Sequence, residues 1–219
     1  MHLLFDLDGT VTDPFSGITR SIQHALISLG QPAPAVEALR WCIGPPLQDS
    51  LPKLLGPGNA HLADAALVKY RERFSSVGLF ENELYPEIES ALDTLNRRGH
   101  SLVVATAKPT VFARRIINHF GLAKYFDSVD GQELDGTYQD KGELIAHILK
   151  REAIAPGEAI MIGDRQHDII AARENGVAGL GALWGYGSRE ELEMAGAEAC
   201  IASPNELPEV ISWKQSRAN

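Results

Sequence analysis

An α/β fold built on a parallel sheet, with a block of helices inserted early in the chain, is predicted by three features of this 219-residue sequence. Short apolar runs bounded by turn signals alternate with amphipathic stretches, the pattern of buried strands covered by helices. Several of the amphipathic stretches begin at Pro and end at Gly, the usual asymmetry of helix ends. Between about residues 15 and 82 the alternation stops, and only helical patterns remain.

Taken in order, His2–Leu7 reads as a buried strand followed by a glycine-containing turn. Helical patterns follow at 17–29, 35–42, 46–55 and 61–78, punctuated by Gly44-Pro45-Pro46 and Gly56-Pro57-Gly58. That is too much helix for one crossover between parallel strands. The expected organisation is therefore a core of residues 1–14 and 84–219 carrying an inserted helical subdomain over 15–83. Helices at about 86–98, 109–120, 141–152 and 166–175 then separate strands at Ser101–Ala105, Ala159–Gly163 and Val177–Leu183. The polar end, Lys214–Asn219, is expected to fray.

Composition narrows the class. A hydrophobic fraction of 44% supports a real core. The net charge of −9 argues against a nucleic acid polymer as partner, because its phosphates are bound by clustered Lys and Arg. No apolar run approaches the roughly 20 residues that span a bilayer, and no basic leader precedes the first strand, so no membrane is expected and the cytoplasm is the default location. Cys42 and Cys200 lie far apart without metal-ligand spacing and read as thiols rather than a disulfide. A monomer or weak dimer is expected.

The chemistry-bearing residues fall at strand ends. The first strand ends in Asp6-Leu7-Asp8-Gly9-Thr10, and strand alternation points Asp6 and Asp8 to one side with Leu7 opposite. Two carboxylates at the end of a buried strand are costly unless positive charge lies between them. One Asp could serve as a turn-former, which does not account for both. The second strand ends at Thr106-Ala107-Lys108-Pro109, where a hydroxyl, free N–H groups and a helix start could cradle an anion; Thr106 is also a routine helix cap. The third ends at Gly163-Asp164-Arg165-Gln166-His167-Asp168, where the acids could simply favour the helix dipole. Together with Asp6 and Asp8 they make an oxygen-rich cluster suited to a hard cation such as Mg²⁺. Lys141 opens a helix against the macrodipole, as either a solvated lysine or a fixed positive charge for a phosphate. Such a charge is needed, since the whole-molecule field repels anions.

In this order, DLDGT at 6–10, Thr106, Lys141 and GDRQHD at 163–168 resemble the four motifs of the haloacid dehalogenase superfamily across essentially the whole chain. The resemblance implies a Rossmann-like core with that superfamily's first type of helical cap (type C1). It implies a phosphatase for a small phosphorylated metabolite, with Asp6 as nucleophile and Asp8 as general acid/base. Asp6, the Asp8 carbonyl and Asp164 would hold Mg²⁺, with Asp168 orienting the cluster. Gly9, Thr10, Thr106, Ala107 and Lys141 would meet the phosphate. The second aspartate, Asp8, argues against dehalogenation, and Thr10 argues against a sugar phosphomutase, which more often carries Val there. IGPPL at 43–47, YPEI at 85–88 and WGYGS at 184–188 look like the phosphoglycolate phosphatase-like group, and GDRQHD with WGYGS like its bacterial 5′-nucleotidase-like branch. The implied substrate is a nucleoside 5′-monophosphate or phosphoglycolate. Ala107 stands where many relatives carry Asn, and Glu87 where Gly is usual. Rival readings are a phosphomutase and a regulatory phospho-acceptor, which would keep its acyl-phosphate.

Overall fold

The computed structural model describes residues 1–218, with side chains described through Trp213; of the stretch 214–219 expected to fray, 214–218 continue α9 as helix, and Asn219 lies outside the described residues. Six strands form one parallel sheet in the order β5-β4-β1-β6-β7-β8. They are β1 (His2–Phe5), β4 (Ser101–Pro109), β5 (Ser128–Gln132), β6 (Ala159–Gly163), β7 (Ala178–Ala182) and β8 (Ala199–Ile201). Two short strands, β2 (Thr12–Asp13) and β3 (Glu83–Leu84), pair separately where the chain leaves and re-enters the core. The chain divides into two compact units, Met1–Asp13 with Leu84–Asn219, and Pro14–Glu83.

In the larger unit the sheet is covered by α4 (Ile88–Arg97), α5 (Thr110–His119), α6 (Lys141–Arg151), α7 (Gln166–Glu174), α8 (Arg189–Ala195) and α9 (Leu207–Ala218). Apolar spacing decides which face each helix buries. In α6, Leu144, Ile145, Ile148 and Leu149 are buried in one cluster with Leu4, Val103 and Met161 of three adjacent strands. Each such side chain contributes about 1.5–3 kcal/mol through burial, so a polar residue at Ile145 would break the packing of α6 on the sheet. Asp140 caps the helix, accepting from Glu143 N at 3.0 Å.

Register fixes what meets at the sheet's carboxyl edge. Phe5 of β1 lies level with Val104 of β4 and Ile162 of β6, and Asp6 N donates to Ile162 O at 2.9 Å. Asp6 is therefore the first residue past the ladder, beside the ends of β4 and β6. From β1 the chain fills one side of the sheet with β4 and β5, then the other with β6, β7 and β8. Open parallel sheets bind ligands at such a change of direction, outside the carboxyl ends of the strands.

The smaller unit is helical: α1 (Phe15–Ser28), a 3₁₀ segment Val36–Cys42, α2 (Leu47–Leu55), α3 (Ala63–Arg73) and a π-helical turn Phe74–Gly78. α1 buries Ile18, Ile22, Ala25 and Leu26, an i, i+4, i+7, i+8 stripe. Gly17 and Gly78 permit close backbone approach, since a Cβ at Gly17 would lie 2.1 Å from the Gly78 carbonyl oxygen. Tyr70 and Phe74 are buried and stacked at 5.1 Å, so this pair is internal packing. Cys42 is buried and Cys200 half-buried, and they form no disulfide.

Several elements depart from the sequence reading, which does not name β2, β3, α8 or α9. β5 and β8 are strands the apolar pattern does not reveal, and β4 runs on to Pro109, past the expected end at Ala105, while α5 starts at Thr110, within a residue of the expected 109. Thr106 is thus not the cap of α5; the residue before that helix is Pro109.

Candidate active site

Asp6, Asp164 and Asp168 are buried and offer carboxylate oxygens within 4.8 Å of one another. β1 and β6 supply the first two from adjacent strand ends, and the first turn of α7 supplies the third. Lys141, at the start of α6, lies with Nζ 2.9 Å from Asp6 Oδ1 and also pairs with Asp168 Oδ1. It is buried, which answers the choice between a solvated lysine and a fixed internal charge in favour of the latter. Desolvation lowers its pKa, but Asp168 and Asp6 outweigh it and hold the ammonium charged well above the usual lysine range.

The acids carry the cost of this crowding. Burial, followed by repulsion from Asp168 and Asp6, pushes the Asp164 carboxyl well above the ordinary range. Burial raises Asp168 to about 6, with Lys141 opposing. Arg165 N donates to Asp168 Oδ2 at 3.0 Å and fixes its orientation. Asp164 accepts from Tyr186 N at 2.8 Å and from Thr10 Oγ1 at 3.4 Å. Gly9 (φ 91) leaves room for that carboxylate: a Cβ there would lie 2.2 Å from Asp164 Oδ2.

Asp8 stands apart from the acidic trio. Its Oδ2 is 2.7 Å from Lys108 Nζ, while its Oδ1 is buried without a hydrogen-bond partner. Burial raises its pKa, against the lowering effect of Lys108. Thr106 Oγ1 accepts from Lys108 N at 3.2 Å, which leaves its own proton available for donation, and Ala107 is half-buried beside it.

Two features escaped the sequence reading. Lys108 looks like a loop lysine before proline, although its spacing of two from Thr106 on a strand is a signal that both face the same side. WGYGS at 184–188 carries a family resemblance in the sequence but no sign of its structural role. Trp184 Nε1 donates to the Thr10 carbonyl at 2.9 Å, and the Tyr186 hydroxyl donates to Asp13 Oδ1. A Cβ at Gly185 would lie 2.3 Å from the Gly9 carbonyl oxygen, and one at Gly187 would lie 2.0 Å from the Asp164 carbonyl oxygen. The glycines let this loop close over the Asp164 strand end.

A cation fits the donor set. Asp6, Asp8, Asp164 and Asp168, when all ionised, carry four negative charges in a buried space, against the two ammonium groups, Lys108 and Lys141, that pair with them directly. All the donors are hard oxygens, which suits Mg²⁺ rather than a softer metal.

A parallel α/β sheet with acids and a buried lysine at its carboxyl edge suits phosphoryl-transfer chemistry, and its relatives make the chain a hydrolase of phosphatase type. The chain belongs to the haloacid dehalogenase-like hydrolase family, whose model matches residues 3–182. It is 48% identical over 191 residues to a 5′-nucleotidase of Pseudomonas aeruginosa, covering 87% of this chain and 86% of that one. It is 36% identical over 191 residues to the tyrosine-protein kinase PtkA of Mycobacterium tuberculosis, covering 87% of this chain but 65% of that protein, so it spans just under two thirds of that relative. The crystal structure of a predicted phosphatase from Clostridium acetobutylicum superposes with a TM-score of 0.91 at 40% identity, covering 96% of this chain and 97% of the other.

Proposed function

We propose that this phosphatase is a magnesium-dependent phosphomonoesterase that works through an aspartyl-phosphate on Asp6, with nucleoside 5′-monophosphates as its substrate class. The observation that carries the reading is the buried meeting of Asp6, Asp164 and Asp168, with Lys141 paired to Asp6 and Asp168 and with Asp8 in an environment that favours its protonated form. The likeness to a 5′-nucleotidase supports the substrate class.

Asp6, the Asp8 carbonyl and Asp164 would hold Mg²⁺, with Asp168 completing the acidic surround. Bound there, the ion supplies the charge neutralisation that lets a phosphate dianion approach a carboxylate. The Asp6 carboxylate attacks phosphorus as the ester P–O bond breaks, and Asp8 gives its proton to the departing alcohol oxygen. Asp8, now ionised, takes a proton from water as that water attacks phosphorus; the bond from phosphorus to Asp6 breaks and inorganic phosphate leaves. Lys141 and the Thr106 hydroxyl provide positive charge and a donor to the phosphoryl oxygens. We assign discrimination among leaving groups to the Pro14–Glu83 unit, with the Gly44-Pro45-Pro46-Leu47 loop, Arg40, Lys53 and Arg71 as candidate specificity residues.

The test is a phosphate-release assay over nucleoside 5′-monophosphates, phosphoglycolate and sugar phosphates, with Mg²⁺ or with EDTA. Release should be fastest from nucleoside 5′-monophosphates, stop in EDTA, and be absent in Asp6→Asn. Preference for phosphoglycolate would move the substrate class, and EDTA-resistant release would remove the metal from the account. Formation of an isomer instead of inorganic phosphate would indicate a mutase.

A further inference from the structure

Lys108 has no part in the chemistry just described, yet its place is closely fixed. The β4–β5 register breaks between Thr106 and Pro109, and such irregularities re-aim the side chains they carry. Lys108 N is bound to Thr106 Oγ1 at 3.2 Å. Gly131 of β5 accommodates the Lys108 carbonyl oxygen, to which a Cβ at that position would lie at 2.2 Å. The buried ammonium then meets Asp8 Oδ2 at 2.7 Å, while Asp8 Oδ1, also buried, has no hydrogen-bond partner.

A carboxyl group turns about its last torsion in a broad, roughly two-fold well. A charge-assisted contact to one oxygen removes that freedom and gives the two oxygens different tasks. We propose that Lys108 is a positioning residue for proton transfer: it holds Asp8 Oδ2 so that Oδ1 faces the leaving oxygen and then the attacking water. In the first step the Oδ1–H bond breaks and the proton joins the alcohol oxygen, which takes the electron pair of the broken P–O bond. In the second, Oδ1 takes a proton from water as the oxygen of that water bonds to phosphorus. Lys108 keeps its protons throughout. The inference rests on Asp8 being the acid and base of the proposed reaction.

Two substrates separate this role from phosphate binding. A nucleoside 5′-monophosphate must have its leaving oxygen protonated, whereas p-nitrophenyl phosphate releases a stable anion. Lys108→Met should lower kcat for the nucleotide by about 10²-fold with KM little changed, the scale of a general acid's contribution. With p-nitrophenyl phosphate it should still give a burst of one nitrophenolate per enzyme, followed by slow turnover, because the water step still needs a base. That Mg²⁺-dependent burst also reports that the variant is folded. Lys108→Arg should recover part of the nucleotide rate, and Lys108→Met should cost nothing further in an Asp8→Asn background. A raised KM with no burst, in a variant whose circular dichroism matches wild type, would overturn the proposal, as would additive losses in the double variant. If Asp8→Asn alone leaves turnover intact, the acid/base reading falls and takes the positioning role with it; if Asp8→Asn is severe but the losses add, only the positioning role falls.

Discussion

Glu87 opens α4 with φ 67, a left-handed backbone that a side chain tolerates poorly. The sequence singles out this position because family members usually carry Gly there, and the dihedral supplies the physical reason. Glu87→Gly should stabilise the protein by on the order of 1 kcal/mol, seen as a higher urea midpoint at unchanged slope; an unaltered or lower midpoint would contradict the strain. Strand alternation and strand-end position act over a few residues, which is why the sequence points to Asp6, Asp8, Asp164 and Asp168, of which Asp6, Asp164 and Asp168 come together. The partner of Asp8 was not. A lysine before proline reads as solvated, and only the pairing of Lys108 with Asp8 across distant sequence makes it an internal charge.

At the scale of elements, β1, β4, β6 and β7 were legible as apolar runs, whereas β5 (SVDGQ) and β8 (ACI) were not. β5 carries Asp130, whose carboxylate is held by Arg151 at 2.6 Å, so a polar residue sits in a strand through a partner 21 positions away. β8 is three residues long and lies at the sheet edge, too short for any period to register. The loop after β7 shows a further limit, since its role depends on backbone approach rather than on side-chain chemistry. Gly185→Ala would push a Cβ against the Gly9 carbonyl and the Asp164 side chain. We expect kcat/KM to fall at least tenfold, about 1.4 kcal/mol of transition-state stabilisation, with a higher Mg²⁺ requirement and intact secondary structure. An unchanged Mg²⁺ titration curve would show that the loop does not hold Asp164 in place.

Over the whole molecule, a net charge of −9 coexists with a site meant for anions, and the site adds further negative charge of its own. Stability in the absence of divalent ions should therefore depend on pH in a definite sense. Burial, against the opposing charge of Lys141, raises Asp168 from 3.8 to about 6. A raised folded-state pKa means that the folded protein binds the proton more tightly. The contribution is thus full below 3.8 and is lost as pH rises through about 6. Asp164, raised by burial and by its acidic neighbours, acts in the same direction. In EDTA, Tm should fall as pH rises across this window, less steeply in Asp168→Asn, and Mg²⁺ should restore it at neutral pH. Asp164→Asn should raise Tm in EDTA while abolishing the gain from Mg²⁺. A Tm in EDTA that rises through the same window would contradict the crowding of these acids. Among the described residues, no helix is long and apolar enough to cross a membrane. The chain divides into units at Asp13/Pro14 and Glu83/Leu84, and the loss of strand signals between about 15 and 82 is the sequence feature nearest those points.

The most direct test of the central claim is covalent trapping on Asp6. Asp8→Asn, incubated with p-nitrophenyl phosphate and Mg²⁺ and then quenched in acid, should yield an Asp6-containing peptide heavier by one phosphoryl group. The label should be absent in EDTA and in an Asp6→Asn, Asp8→Asn double variant. A phosphoryl group found on another residue, or none on Asp6 while nitrophenolate is still released, would contradict the account.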